Sequence, residues 1–125
     1  MNPEQSAPIG SHQFIDQLAL AYHREIAARL LAAPDEVLNR ARSNLKRWMK
    51  VHEGTGTVRA LEEWQNLIDT LTLSDLIAKM TEDSDEGQRL RQSTPFAGVL
   101  SEQERKEVFA RCEKGIFVGS DTTCE

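Results

Sequence analysis

The sequence predicts an all-α protein, a compact single-domain array of five or six helices with a flexible N-terminal arm and a short C-terminal tail. Three observations predict it. Apolar residues recur at the three- and four-residue spacing of a helix through the middle of the chain. Helix starts and stops, marked by proline, hydroxyl caps and glycine, fall between those runs. Strand-like alternation is absent before Ile116. A length of 125 residues is one domain's worth.

Residues 1–10 carry Pro3, Pro8 and Gly10 among polar neighbours and read as a flexible arm. The helical domain is expected over residues 11–114. Ser11 is a fitting N-cap for a first helix whose apolar stripe is Phe14, Ile15, Leu18, Tyr22, Ile26 and Leu30. Pro34 ends that helix and suits the first turn of the next, with Asp35 and Glu36 at the positive end of its dipole. Val37, Leu38, Ala41, Leu45, Trp48 and Met49 form its apolar face, and Gly54 and Gly56 stop it. Thr57 can cap a third helix built on Leu61, Trp64, Leu67, Ile68 and Leu71. Ser74 can cap a short fourth, with Leu76, Ile77 and Met80 inward, and Ser84 a fifth anchored by Leu90 and ended before Pro95. Ser101 and Glu104 form a capping box for a last helix reaching about Lys114, with Gly115 as its C-cap. Residues 115–125 are the tail, in which Ile116, Phe117 and Val118 fit a short strand or a docking segment.

The net charge of −5 argues against non-specific nucleic-acid binding by the whole molecule, which needs a surplus of cations. Cys112 and Cys124 lack zinc spacing and read as free thiols in a reducing compartment. No run is long and apolar enough to span a membrane, and residues 1–11 lack a secretory pattern. A cytoplasmic protein is the expectation.

Catalytic signatures are missing. His12, His23 and His52 are scattered, without HExxH or a pair at i, i+4, and read as surface or helix-end residues. There is no P-loop, no G-x-G-x-x-G and no G-x-S-x-G. Glu62 with Glu63, and Asp83, Asp85 and Glu86, lie in hydrophilic runs and not in a recognisable acid–base pair. The chain is therefore expected to be no enzyme, with no cofactor and no metal.

Two segments stand out. Arg40, Arg42, Lys46, Arg47 and Lys50 crowd the second helix with no acid among them. Arg42, Lys46 and Lys50, at i, i+4 and i+8, are expected to line one face. Arg42, Lys46, Arg47 and Lys50 are candidates for contact with DNA or another anion. The alternative is a solvated helix face paired with the chain's own acids. The second segment, Arg89 to Leu100, packs two arginines, an amide, two hydroxyls, a proline and an aromatic into one turn. Arg89, Arg91, Gln92 and Phe96 are candidates for partner contact. The alternative is an internal corner, with Arg91 and Gln92 capping carbonyls and Phe96 plugging the core.

This second segment, Arg89-Leu90-Arg91-Gln92-Ser93-Thr94-Pro95-Phe96-Ala97-Gly98-Val99-Leu100 followed by Glu104-Arg105, resembles a family of small uncharacterised bacterial helical proteins. Ala41 to Trp48 and the lone Trp64 fit the same pattern, and the resemblance spans about Phe14 to Val108. Such proteins are similar to the antitoxins of toxin–antitoxin systems. The resemblance implies a protein-binding module that neutralises a toxin enzyme by direct contact, and it assigns no residue a role. Asp83, Asp85 and Glu86 could face a basic partner of that kind. The rival expectation is a DNA-binding transcriptional regulator that reads operator DNA with the second helix. A homodimer and a small enzyme with a site near Arg89 to Thr94 are the remaining alternatives.

Overall fold

The computed structural model describes residues 12–115. Among them are six helices and no strand: α1 (His12–Ala32), α2 (Pro34–Val51), α3 (Thr57–Thr70), α4 (Leu73–Met80), α5 (Asp85–Arg91) and α6 (Glu102–Glu113). The all-α fold is as the sequence predicts. The arm, the Ser11 cap, the tail beyond Gly115 and Cys124 lie outside the described residues.

Local chemistry sets the helix ends. Pro34 occupies the first turn of α2 behind Asp35 and Glu36. Thr72, and not Ser74, caps α4, its hydroxyl accepting from the Asp75 N–H. Gly56 precedes α3 without a side-chain cap, so Thr57 is helical and not a cap. Ser84 caps α5 by accepting from the Gly87 N–H at 3.0 Å. The Ser101–Glu104 capping box opens α6 in both directions, at 3.0 and 2.7 Å.

The longest helix, α1, is the spine. It packs against α2, α4, α5 and α6, while α3 packs on α2 and α4 on α5. The main core gathers Leu30 of α1, Ala41 and Leu45 of α2, Trp64 of α3 and Met80 of α4, all fully buried. A second cluster joins α6 to the start of α1 through Phe14, Ala21, Val108 and Cys112, with Phe14 and Phe109 edge to face at 5.6 Å. Tyr22 touches both clusters. One residue of the expected α1 stripe, Ile15, is half exposed, and Leu20 takes its place in the interior. The buried path along α1 follows 3.6 residues per turn more closely than the fourfold steps read from sequence.

Gly87 shows how tightly α5 is seated. A Cβ there would fall 2.0 Å from the carbonyl oxygen of Glu82, which is backbone and cannot swing away. Gly56 has nothing within 4 Å and an ordinary helical φ. Gly87→Ala should therefore cost about 2–3 kcal/mol or more, whereas Gly56→Ala should be neutral or stabilise by up to about 1 kcal/mol. Urea midpoints of the two variants check this; equal midpoints would refute the seating of α5.

A candidate functional site at a polar corner and a basic helix face

The chain from the last turn of α5 to α6, residues 90–101, turns a corner whose centre, Pro95, Phe96 and Leu100, is buried, and three helices send polar side chains to it. Asn44 sits on the inner face of α2 with only 4% of its surface exposed. Its Nδ2 donates to the carbonyls of Pro95 and Ala97, both at 2.9 Å, and its Oδ1 accepts from Arg47 at 2.8 Å. Trp64 of α3, fully buried, donates from Nε1 to the Leu90 carbonyl at 2.9 Å. His23 of α1 is 3% exposed, its Nδ1 2.7 Å from the Ala19 carbonyl and its Nε2 2.7 Å from the Thr94 hydroxyl. One tautomer satisfies both contacts: Nδ1–H donates to Ala19 and Nε2 accepts from Thr94. The Thr94 oxygen in turn accepts from the Phe96 N–H at 3.3 Å. Phe96 fills the centre, edge to face with Trp64 at 5.7 Å and with His23 at 6.4 Å.

Sequence reasoning missed three of these groups. His23 is no surface histidine; it is a neutral core residue. Asn44 and Thr94 were assigned nothing. The signal for Asn44 was present, since it lies three residues after Ala41 and seven after Val37, on the face that buries both.

Arg89, Arg91, Gln92 and Phe96, the sequence's candidates for partner contact, are divided by the fold. Arg91 and Phe96 are buried. Arg91 Nη1 donates to the carbonyls of Met80 at 3.3 Å and Glu82 at 2.8 Å, tying the end of α4 to α5. Both residues are turned inward, Arg91 to serve the carbonyls at the end of α4 and Phe96 to fill the corner, so neither is displayed to a partner. Arg89 and Gln92 are exposed. Arg89 is held by Glu63 at 2.8 Å and Glu86 at 2.6 Å, and it holds both carboxyls below their ordinary range. Gln92 caps the end of α5 with its backbone N–H. Asp83, on the loop before α5, and Asp85, the first residue of α5, are exposed.

The four basic candidates on α2 are also divided. Arg42 is paired with Asp69 of α3 and lowers that carboxyl's pKa. Arg42 lies with Lys46 and Lys50 along one arc of about 80° on the helix, and what sets it apart is that Asp69 takes up its charge. The solvent-facing side carries Arg40, Lys46, Arg47 and Lys50, all exposed. None of these four forms an ion pair among the described residues. Arg47 lies 5.9 Å from the centre of the Trp48 ring, which is half-buried.

Among the described residues nothing assembles into a nucleophile with its base. Cys112 is a buried free thiol whose pKa burial raises. Among the described residues no group of three or more His, Cys, Asp or Glu is placed to hold a metal ion. No described helix is long and apolar enough to cross a membrane. Comparison with known proteins finds no family model, no curated protein and no solved structure that matches the chain.

Burial pulls the His23 pKa from 6.5 to about 4; the Ala19 carbonyl pulls the other way, and the nearby positive charge of Arg91 adds a smaller downward pull. Between those two values the unfolded chain takes up a proton that the folded chain refuses. Stability is thus full above about pH 6.5 and falls as the pH drops toward 4, by a few kcal/mol at most from this group. Denaturant unfolding at pH 7 and pH 4.5 should show the loss in the wild type and a clearly shallower loss in His23→Gln. Parallel pH profiles for the two proteins would place the sensitivity elsewhere.

Proposed function

We propose that this chain is a binding module and no enzyme, and that it meets its partner with the outer face of α2. The supporting observation is the row Arg40, Lys46, Arg47 and Lys50, exposed and without an acid partner among the described residues. The chain has acids in excess, 20 against 15 Lys and Arg, yet it leaves these four cations unmatched. Arg29, Arg42, Arg89, Lys106 and Arg111 each face a carboxylate. Arg59, Lys79, Arg105 and Lys114 also form no ion pair among the described residues, but they are scattered over three helices and the end of α6, whereas the four on α2 stand together. A helix face kept positive on an acidic protein suits a partner that supplies the anions, and it orients the encounter.

The resemblance to antitoxin-like proteins makes the partner an enzyme that this module inhibits by covering part of its surface. An acidic patch on that enzyme is the complement of α2. A standard interface would bury about 800 Å² on each side, and α2, some 27 Å long at 1.5 Å per residue, supplies a large part of one. The net charge of −5 favours a protein partner over nucleic acid, whose phosphates would repel the rest of the molecule. Duplex DNA is the second reading, supported by the same four cations.

Wild type and a Lys46→Glu/Lys50→Glu variant, tagged and captured from host lysate after nuclease treatment, separate the readings. One protein recovered in near-equal amount with the wild type, and at least about tenfold less with the variant, is the expected outcome. Recovery of nucleic acid alone, lost as salt rises, would move the assignment to DNA. Equal recovery of the same protein by both forms would exclude α2 as the contact. The variant should keep its melting temperature, because both lysines are exposed and unpaired among the described residues.

A further inference from the structure

A groove of about 260 Å³ runs along one flank of the α1–α6 pair, lined by Tyr22 of α1 and by Glu102, Arg105, Lys106 and Phe109 of α6. The rings of Tyr22 and Phe109 are half-buried and give it an apolar wall, while the three charged residues stand exposed. Glu102 and Lys106 face each other at 3.7 Å. Arg105 is then the one charge of the groove without an ion pair among the described residues.

Tyr22 is a second unused donor. Its hydroxyl makes no hydrogen bond among the described residues, and its oxygen is reachable from solvent. Burial raises the pKa of this phenol, so the hydroxyl keeps its proton, and the charge of Arg105 beside it pulls the other way. A hydroxyl donor and a guanidinium next to an apolar wall are the complement of a carboxylate attached to an apolar group. One unmatched positive charge calls for one carboxylate.

Two features make the owner of that carboxylate a polypeptide. The groove is open along one side and smaller than the cavities of about 300–1,000 Å³ that enclose free small molecules. Apolar surface also continues past it. Ile15 is half exposed and lies seven residues before Tyr22, within about 20° of it around α1 and about 10 Å along the helix. Phe109 stands toward that end, because it meets Phe14 edge to face. In the last residue of a chain the side chain and the carboxylate share one Cα, so both fit a groove of this size, and the residues before it run on toward Ile15.

We propose that this groove binds the carboxyl terminus of a partner polypeptide ending in a large apolar residue, its carboxylate between the Tyr22 hydroxyl and Arg105 and its last side chain on the Phe109 ring. The site lies on α1 and α6 and is independent of the partner assigned to α2.

Isothermal titration of the full chain tests it with four probes: an N-acetylated peptide of four alanines and a final phenylalanine, its C-terminal amide, the same peptide ending in alanine, and hydrocinnamate. The free-acid phenylalanine peptide should bind saturably at one site. The amide, the alanine-ending peptide and hydrocinnamate should each bind at least about tenfold more weakly. Tyr22→Phe keeps the ring that packs on both core clusters and removes only the hydroxyl, and Arg105→Gln changes an exposed side chain. Each should weaken the free-acid peptide by about tenfold or more, leave the weak binding of the amide as it is, and keep the melting temperature. No saturable binding of the free-acid peptide up to about 10 mM would overturn the proposal, as would an amide that binds as tightly or two variants that bind undiminished. Hydrocinnamate binding as tightly as the peptide would overturn it in favour of a free small acid. Self-association that Arg105→Gln abolishes, with no peptide bound, would overturn it in favour of a second copy of this chain.

Discussion

A buried turn of chain must find partners for its backbone, and here one amide supplies the most. Asn44 reaches across from α2 and donates to two carbonyls of the corner at once, while Arg47 fixes the amide from behind. Leaving either carbonyl bare would cost about 1–3 kcal/mol, and the chain could not then bury Pro95 and Phe96 beside it. Trp64 of α3, at Leu90 in the last turn of α5, and His23 of α1, at Thr94, do the same work, so three helices are pinned to the end of α5 and the corner that follows it. Phe96 converts this polar frame into a packed centre by meeting both rings edge on.

That constraint gives α2 its two-sided character. Its inner face is fixed by Val37, Ala41, Asn44 and Leu45, which are buried against the core and the corner. Its outer face is then determined by helical geometry alone, and what stands there is positive and unmatched. The corner works as scaffold for the helix that carries this surface. A segment rich in arginine, hydroxyl and aromatic groups attracts a functional reading. In this fold most of those groups face inward.

The elements whose information is local were legible in the sequence. The period of apolar residues, Pro34, the Ser84 cap and the Ser101–Glu104 box depend on neighbours within one turn, and each is found where the pattern puts it. What escaped depends on partners far along the chain. His23 meets Thr94 and Asn44 meets Pro95, pairs separated by 71 and 51 residues. Polarity alone placed His23 at the surface and hid Asn44, since a single sequence does not show which polar group has a backbone waiting for it. On the basic face the missing information was again distant in the chain: Arg42 lies in line with Lys46 and Lys50, but Asp69 of α3 takes up its charge.

The central claim is that residues 90–97 are an internal lock that Asn44 fastens, not a loop displayed to a partner. Amide hydrogen exchange followed by mass spectrometry tests this most directly, in the wild type and in Asn44→Ala. The account predicts that peptides covering 90–97 exchange as slowly as those of α2 and α3 in the wild type, and markedly faster in Asn44→Ala while the middle of α1 stays protected. Fast, loop-like exchange of 90–97 in the wild type, or protection unchanged by loss of the Asn44 amide, would contradict it.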